Sequence, residues 1–184
     1  MIKLLCTLMA IAAAHAAKLA PNNAAHDLFL TVPMLRALDT WDPTFQPWGD
    51  RNYEDEIIHE YKFSAHQAPF AVVTDFNGDG LPDVALHGRT KRDDVVVVLL
   101  SSASGSYRVY PILRTPLAGC ESQNLPCRLG MFLEIIPSST HFTGAFAGYP
   151  LTLRRDAFQI VWSGKAAQLY FWADGKFNTY TTGD

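Results

Sequence analysis

Residues 70–100 read FAVVTDFNGDGLPDVALHGRTKRDDVVVVLL, and this stretch determines the predicted fold. It contains three apolar runs, and an acidic loop with two glycines separates the first two runs. Short β-branched runs bounded by Gly, Pro, Asn and Asp predict strands joined by turns. We predict strands over residues 70–74, 83–87 and 94–100. The four consecutive valines of the third run indicate burial on both faces, because neighbouring side chains of a strand point in opposite directions.

The β pattern continues towards the end of the chain. A Ser- and Gly-rich turn over residues 101–106 leads to a fourth strand, so that residues 69–112 form an antiparallel meander. Residues 113–184 form a second strand group, in which Asp174 and Gly175 between two apolar runs are a strong hairpin signal. The remaining strands are predicted over residues 107–112, 132–137, 158–162, 167–172 and 177–181. The two groups are expected either to face each other as a sandwich or to lie side by side like propeller blades.

Residues 17–66 precede the strands and predict helices and loops. Pro33 marks the start of one short helix, since proline is tolerated in a first helical turn. Residues 54–61 place three apolar side chains on one helical face, with a strand as the alternative. The predicted fold class is therefore mainly β (β-rich α+β). It has two antiparallel meander sheets, preceded by one or two short helices, in a single domain over residues 17–184.

Residues 1–16 have the pattern of a signal peptide. Lys3 precedes an apolar run of about the length of a signal-peptide core, and Ala14 and Ala16 supply the small residues that a signal peptidase requires. We predict cleavage after Ala16 and export to the periplasm or the exterior. A buried N-terminal helix or a membrane anchor is the alternative, but the run is short for a membrane span. No span is expected in the mature chain.

The cysteines agree with an exported protein. Cys6 lies in the predicted signal peptide, which leaves Cys120 and Cys127 in a loop with Gly, Asn and Pro. An oxidising compartment favours a disulfide between these two residues. A metal pair or a redox pair is the alternative, but both usually have two residues between the cysteines.

The acidic loop has the pattern of a calcium site. Oxygen donors recur at its first, third, fifth and ninth positions, in Asp75, Asn77, Asp79 and Asp83. Leu81 at the seventh position offers a backbone carbonyl, and a glycine at the sixth position permits a sharp turn. Calcium requires six to eight oxygens, which a short loop supplies by wrapping around the ion. We predict one Ca²⁺ with a dissociation constant from micromolar to millimolar; a polar turn that binds nothing is the alternative.

The loop resembles the calcium loop of FG-GAP/VCBS-type repeats, where an Asp-x-Asn-x-Asp-Gly-x-x-Asp sequence links the first two strands of a blade. An EF-hand fits less well, because Leu86 occupies the twelfth position where a Glu is expected. Residues 69–112 match one whole repeat, and a single acidic loop disfavours a closed propeller. The Trp-x-Asp-Gly-Lys-Phe hairpin from Trp172 to Phe177 also resembles that of small secreted bacterial proteins with one such loop. The resemblance implies a structural calcium ion.

Other polar residues predict no reaction. His87 is interpreted as a strand residue, and Asp93 and Asp94 as part of a solvated edge or turn. The residues from Arg89 to Arg92 are expected in a solvated hairpin turn, and the net charge of −3 gives no footprint for nucleic acid. The C-terminal aromatic residues are expected to form core and cross-strand pairs, more than a platform for sugars: Phe158, Trp162, Tyr170, Phe171, Trp172, Phe177 and Tyr180.

These patterns favour a non-enzymatic calcium-binding module that recognises a protein or a glycan of the cell envelope or exterior. No residue set in the sequence identifies a catalytic reaction. Two alternatives stay open: a secreted hydrolase stabilised by calcium, and a periplasmic inhibitor or immunity-type partner protein. A cleft that pairs a nucleophile with a base would favour the hydrolase.

Overall fold

The computed structural model describes residues 17–18, 26, 28–64, 66–117 and 128–183. The predicted signal peptide with Cys6, and the predicted disulfide between Cys120 and Cys127, lie outside the described residues. Strands account for 48% of the structure and helices for 13%, and the sheets are antiparallel. The predicted β-rich fold class is confirmed.

The segment before the main strands contains short helices and short strand pairings. Its elements are β1 (Ala17–Lys18), β2 (Phe29–Leu30), helix α1 (Val32–Trp41), β3 (Gln46–Pro47), a 3-10 turn (Asp50–Asn52) and helix α2 (Asp55–Glu60). Pro33 lies in the first turn of α1, as predicted, and α1 buries Met34 and Leu38 one turn apart. Helix α2 buries Ile57, so the strand alternative for residues 54–61 is wrong. Neither helix in the described part of the chain has the length and hydropathy of a membrane span.

The first sheet has six antiparallel strands, and five of them form a meander. Its strands are β3, β4 (Gln67–Ala68), β5 (Ala71–Thr74), β6 (Asp83–Arg89), β7 (Asp93–Ser101) and β8 (Tyr107–Pro116). Strands β4 to β8 follow one another in space as in sequence, and β3 pairs with the end of β6. The turn between β6 and β7 exposes Lys91 and Arg92, as predicted.

The second sheet is formed by the C-terminal strands. It contains β9 (Met131–Ile136), β12 (Ala157–Trp162), β13 (Ala166–Ala173) and β14 (Lys176–Gly183) in that spatial order. A small hairpin of β10 (His141–Phe142) and β11 (Leu151–Thr152) lies between β9 and β12 in sequence and was not predicted. The backbone N–H of Leu133 in β9 donates to the carbonyl of Pro69, 2.9 Å away, next to β4, so the two sheets are joined along one edge.

The valine run of β7 lies at the centre of a three-layer arrangement. Val97 and Leu99 pack in a cluster with residues of α1 and α2, whereas Val96 and Val98 pack in a cluster with residues of the second sheet. All four side chains are fully buried. Burial on both faces is therefore confirmed, and the two sheets face each other as in a sandwich.

Candidate functional site

The acidic loop connects β5 to β6 at one end of the sandwich. Gly78 and Gly80 have φ angles of +76° and +82°. These values lie in the left-handed region, where a β-carbon would be strained. The two glycines therefore permit tight turns, and the polar side chains of the loop accept hydrogen bonds from its own backbone.

Asp75 is the centre of the hydrogen bonding in this loop. Its Oδ1 accepts hydrogen bonds from the backbone N–H groups of Gly78 (2.7 Å) and Asp79 (3.1 Å). Its Oδ2 accepts a hydrogen bond from the N–H of Gly80 (2.7 Å). The first position of the predicted calcium site therefore wraps the next five residues around its own carboxylate.

Asn77 and Asp79 continue this pattern. Asn77 Oδ1 accepts from the Asp79 N–H (2.9 Å), and Asp79 Oδ1 accepts from the Leu81 N–H (2.9 Å). The Asn77 side-chain amide also donates to Asp79 Oδ2, 3.0 Å away. Because the Asp79 N–H is shared between Asp75 Oδ1 and Asn77 Oδ1, these two oxygens are at most about 6 Å apart. The structure brings the first, third and fifth positions together.

Asp83 has a second role that the sequence did not predict. Its side chain is fully buried at the start of β6. Oδ2 accepts from the Phe76 N–H (3.0 Å), and Oδ1 accepts from the N–H (2.8 Å) and the hydroxyl (3.0 Å) of Ser101 at the end of β7. Burial raises the pKa of Asp83, and the hydrogen bonds from Ser101 and Phe76 partly oppose that rise. Asp83 therefore connects the loop to the neighbouring strand β7. This role could be predicted from the sequence only if the pairing register of β6 and β7 were known.

The chemistry of the donor atoms in the loop suits a hard cation. Asp75 Oδ2, Asn77 Oδ1 and both carboxylate oxygens of Asp79 each accept one hydrogen bond, so each keeps a second lone pair. With the carbonyl of Leu81 these are all oxygen donors, as calcium prefers. Within the described ranges, no group of three or more Asp, Glu, His or Cys side chains is arranged to hold a metal ion. Asp83 Oδ1 accepts two hydrogen bonds and Oδ2 accepts one, so Asp83 keeps fewer lone pairs available than Asp79 does.

No family model, curated protein or solved structure matches the chain. The resemblance to FG-GAP/VCBS-type repeats therefore rests on the loop sequence and on its place between two antiparallel strands. It stays a hypothesis about this chain.

Phe76 anchors the loop in the core between the two sheets. Its side chain is fully buried, and its ring centroid lies 5.4 Å from that of Phe158 and 6.0 Å from that of Phe177. Phe177 belongs to the C-terminal hairpin, whose turn residues Asp174 and Gly175 both have positive φ angles. This is the geometry expected for an Asp-Gly hairpin turn. The acidic loop and the C-terminal hairpin are thus in direct contact through Phe76 and Phe177.

A second polar cluster joins Tyr53 of the lead-in segment to His87 of β6 and Asp94 of β7. His87 Nε2 lies 2.9 Å from Asp94 Oδ1, and His87 Nδ1 lies 2.6 Å from the Tyr53 hydroxyl. An ionised carboxylate only accepts, so His87 Nε2 carries a proton and donates it to Asp94. His87 is a strand residue as predicted, but the placement of Asp94 at a solvated turn is wrong. Trp48 also donates to Asp94 Oδ1, at 2.8 Å.

This cluster is a structural connection and not an accessible catalytic group. Tyr53 and His87 have no exposed surface. Burial raises the pKa of the Tyr53 hydroxyl well above its usual value. Burial alone would also raise the pKa of Asp94, but the hydrogen bond and charge of His87 and the hydrogen bond of Trp48 outweigh it and lower that pKa. The cluster connects the lead-in segment to β6 and β7.

Two open grooves border helix α1. One, of about 750 Å³, is lined by Leu35, Arg36, Asp39, Asp42 and Phe45 among others, and its lining includes no Ser, Cys or His. The other, of about 540 Å³, lies between α1 and the serine-rich turn and is lined by residues that include Arg36, Trp41, Ser104, Ser106 and Tyr107. No Asp, Glu or His lines this second groove. Among the described residues that line them, neither groove therefore pairs a side-chain nucleophile with a base.

Proposed function

We propose that the chain is an exported, calcium-stabilised β module that recognises a protein or glycan of the cell envelope or exterior. The observation that carries the calcium proposal is the hydrogen-bond pattern of the acidic loop. Its first, third and fifth side chains accept from N–H groups further along the same loop and keep oxygen lone pairs available. The role of the ion is structural.

Calcium would neutralise the mutual repulsion of the loop carboxylates. Without a cation, Asp75 and Asp79 repel each other at a bend that their own hydrogen bonds maintain. Phe76 lies between the ligands and reaches Phe158 and Phe177, so a fixed loop also fixes the packing between the sheets. The calcium ion would thereby rigidify the sandwich at this end.

The second groove supports a binding role for the module. Trp41 and Tyr107 are partly exposed aromatic residues, and hydroxyl groups and Arg36 lie beside them. Aromatic rings with an apolar body and nearby polar groups suit a ligand such as a glycan. The proposed export and the periplasmic or extracellular location rest on residues 1–16 alone.

The calcium proposal is tested by thermal unfolding of the purified protein in excess calcium and in excess chelator. Saturation at about 100 times the dissociation constant would add about 2.7 kcal/mol. For a domain of this size, this corresponds to a rise in Tm of about 5–10 °C. Asp75→Asn should remove most of the rise, whereas Asp39→Asn, an exposed position on α1, should keep it. Equal Tm values in calcium and chelator would refute the proposal.

The recognition proposal is tested by a calcium-dependent pull-down from envelope extract, with a glycan-binding assay in parallel. Trp41→Ala should weaken glycan binding and leave the calcium-induced rise in Tm unchanged. Hydrolysis of a substrate by the purified protein, with no retained ligand, would instead support the hydrolase alternative.

A further inference from the structure

Arg155 lies against the acidic loop, although it is 77 residues away in sequence from Gly78. A β-carbon built on Gly78 would be 2.2 Å from Arg155 Nε and 3.1 Å from Cζ. The guanidinium group therefore covers the backbone of the loop between Asn77 and Asp79. Any side chain at position 78 would displace it, which adds a second reason for glycine at that position.

The segment that carries Arg155 is fixed beside the loop by its neighbour. Asp156 Oδ2 accepts a hydrogen bond from the hydroxyl of Thr74 (2.6 Å), the residue that precedes Asp75. Asp156 Oδ1 accepts from the N–H of Ser138 (2.8 Å). The backbone at position 155 is thus held close to the start of the loop by contacts that do not involve the arginine side chain.

The charge of Arg155 is not neutralised by an ion pair with any residue that the structure describes. Across the described residues, its guanidinium forms no ion pair and no hydrogen bond. The distances from Arg155 Cζ to the Gly78 backbone and from the Gly78 N–H to Asp75 Oδ1 add up to about 9 Å, which is the upper limit for the distance between Cζ and Oδ1. A positive charge therefore lies within about 9 Å of a candidate calcium ligand, which is less than the Debye length of about 10 Å at 0.1 M salt.

We propose that Arg155 lowers the affinity of the acidic loop for calcium and makes that affinity depend on salt. This role of Arg155 rests on the proposed calcium function, because Arg155 would set the calcium affinity of the same loop. A positive charge near the loop favours the metal-free carboxylates and repels a bound divalent cation, so it opposes binding. At a separation of about 8 Å, this repulsion weakens binding about three- to six-fold at low ionic strength.

The experiment is calorimetric titration of the purified protein with calcium, comparing the wild type, Arg155→Gln and Arg154→Gln. Arg154 is the matched control, since it is exposed, adjacent and loses the same charge. At about 20 mM salt, Arg155→Gln should bind calcium about three- to six-fold more tightly, and Arg154→Gln less than two-fold more tightly. At about 0.5 M salt, the gain for Arg155→Gln should fall below two-fold.

Terbium provides a second measurement, because its luminescence reports binding directly and its charge is larger. The ratio of affinities between Arg155→Gln and the wild type should be larger for Tb³⁺ than for Ca²⁺, since the repulsion scales with ion charge. An unchanged or weaker affinity in Arg155→Gln, or equal gains in both variants, would overturn the role of Arg155 while leaving the calcium site standing. Failure of the wild type to bind either ion would overturn the calcium function and this inference together.

Discussion

Phe76→Ala tests whether the acidic loop is part of the hydrophobic core. The side chain has no exposed surface and contacts the rings of Phe158 and Phe177 across the sandwich. Truncating a buried Phe to Ala typically costs about 3–5 kcal/mol, from lost transfer energy and from the cavity that remains. Since domains are stable by about 5–15 kcal/mol, this one substitution would remove a large part of the total.

The assay is equilibrium unfolding in urea, with fluorescence and circular dichroism followed together. With a slope of about 2 kcal/mol per molar urea, the midpoint should move about 1.5–2.5 M lower. Phe146→Ala is the matched control, since the same atoms are removed from a side chain that is 56% exposed. That control should change the free energy of unfolding by less than about 0.5 kcal/mol.

Calcium should stabilise Phe76→Ala less than the wild type, because the loop would no longer be fixed at both ends. Phe76→Leu, which keeps most of the apolar volume, should lose less stability than Phe76→Ala. If Phe76→Ala were no more destabilising than Phe146→Ala, the loop would not be anchored as described, and the proposed coupling between calcium and the sheets would be wrong.

Two further substitutions test the buried polar contacts. Asp94→Asn should cost about 1–2 kcal/mol at pH 7, since a charged acceptor for His87 is lost. Because the pKa of Asp94 is lowered in the folded state, its stabilisation is present above the unfolded-state pKa and is lost as the pH falls. In urea unfolding, the difference in free energy of unfolding between the wild type and Asp94→Asn should therefore be smaller at pH 3 than at pH 7. A difference that does not depend on pH would contradict this. Ser101→Ala removes one hydrogen bond to Asp83 and should cost about 1 kcal/mol, whereas Ser104→Ala in the exposed turn should be nearly neutral; equal losses would argue against the Asp83 connection.

Much of the fold follows from local sequence signals. The valine run, the glycines of the acidic loop and the Asp-Gly turn at Asp174 each act through steric preferences of a few residues, and the structure agrees with all three. The helix beginning at the turn of Pro33 was predictable for the same reason. By contrast, the small β10–β11 hairpin has two-residue strands, which are too short to give a periodic pattern.

The less predictable features depend on contacts between distant segments. The hydrogen bonds from Ser101 to Asp83 were not expected, because they depend on strand pairing with a residue eighteen positions later. Asp94 was expected at a solvated turn, but Trp48 from the lead-in segment covers it. Arg155 near Gly78 had no signal in sequence, because the contact depends on how the second sheet packs on the first. Composition and spacing carry no information about such packing.

The central position of the first sheet limits how this molecule can meet a partner. The helical layer occupies one face of that sheet and the second sheet occupies the other. The β10–β11 hairpin packs in turn against the outer face of the second sheet, where Ala157, Leu169 and Tyr180 are buried. A binding partner can therefore reach the helices and their grooves, and the turns at either end. Evolution could vary those outer surfaces residue by residue, while substitutions along the central valine strand would disturb packing on both sides at once.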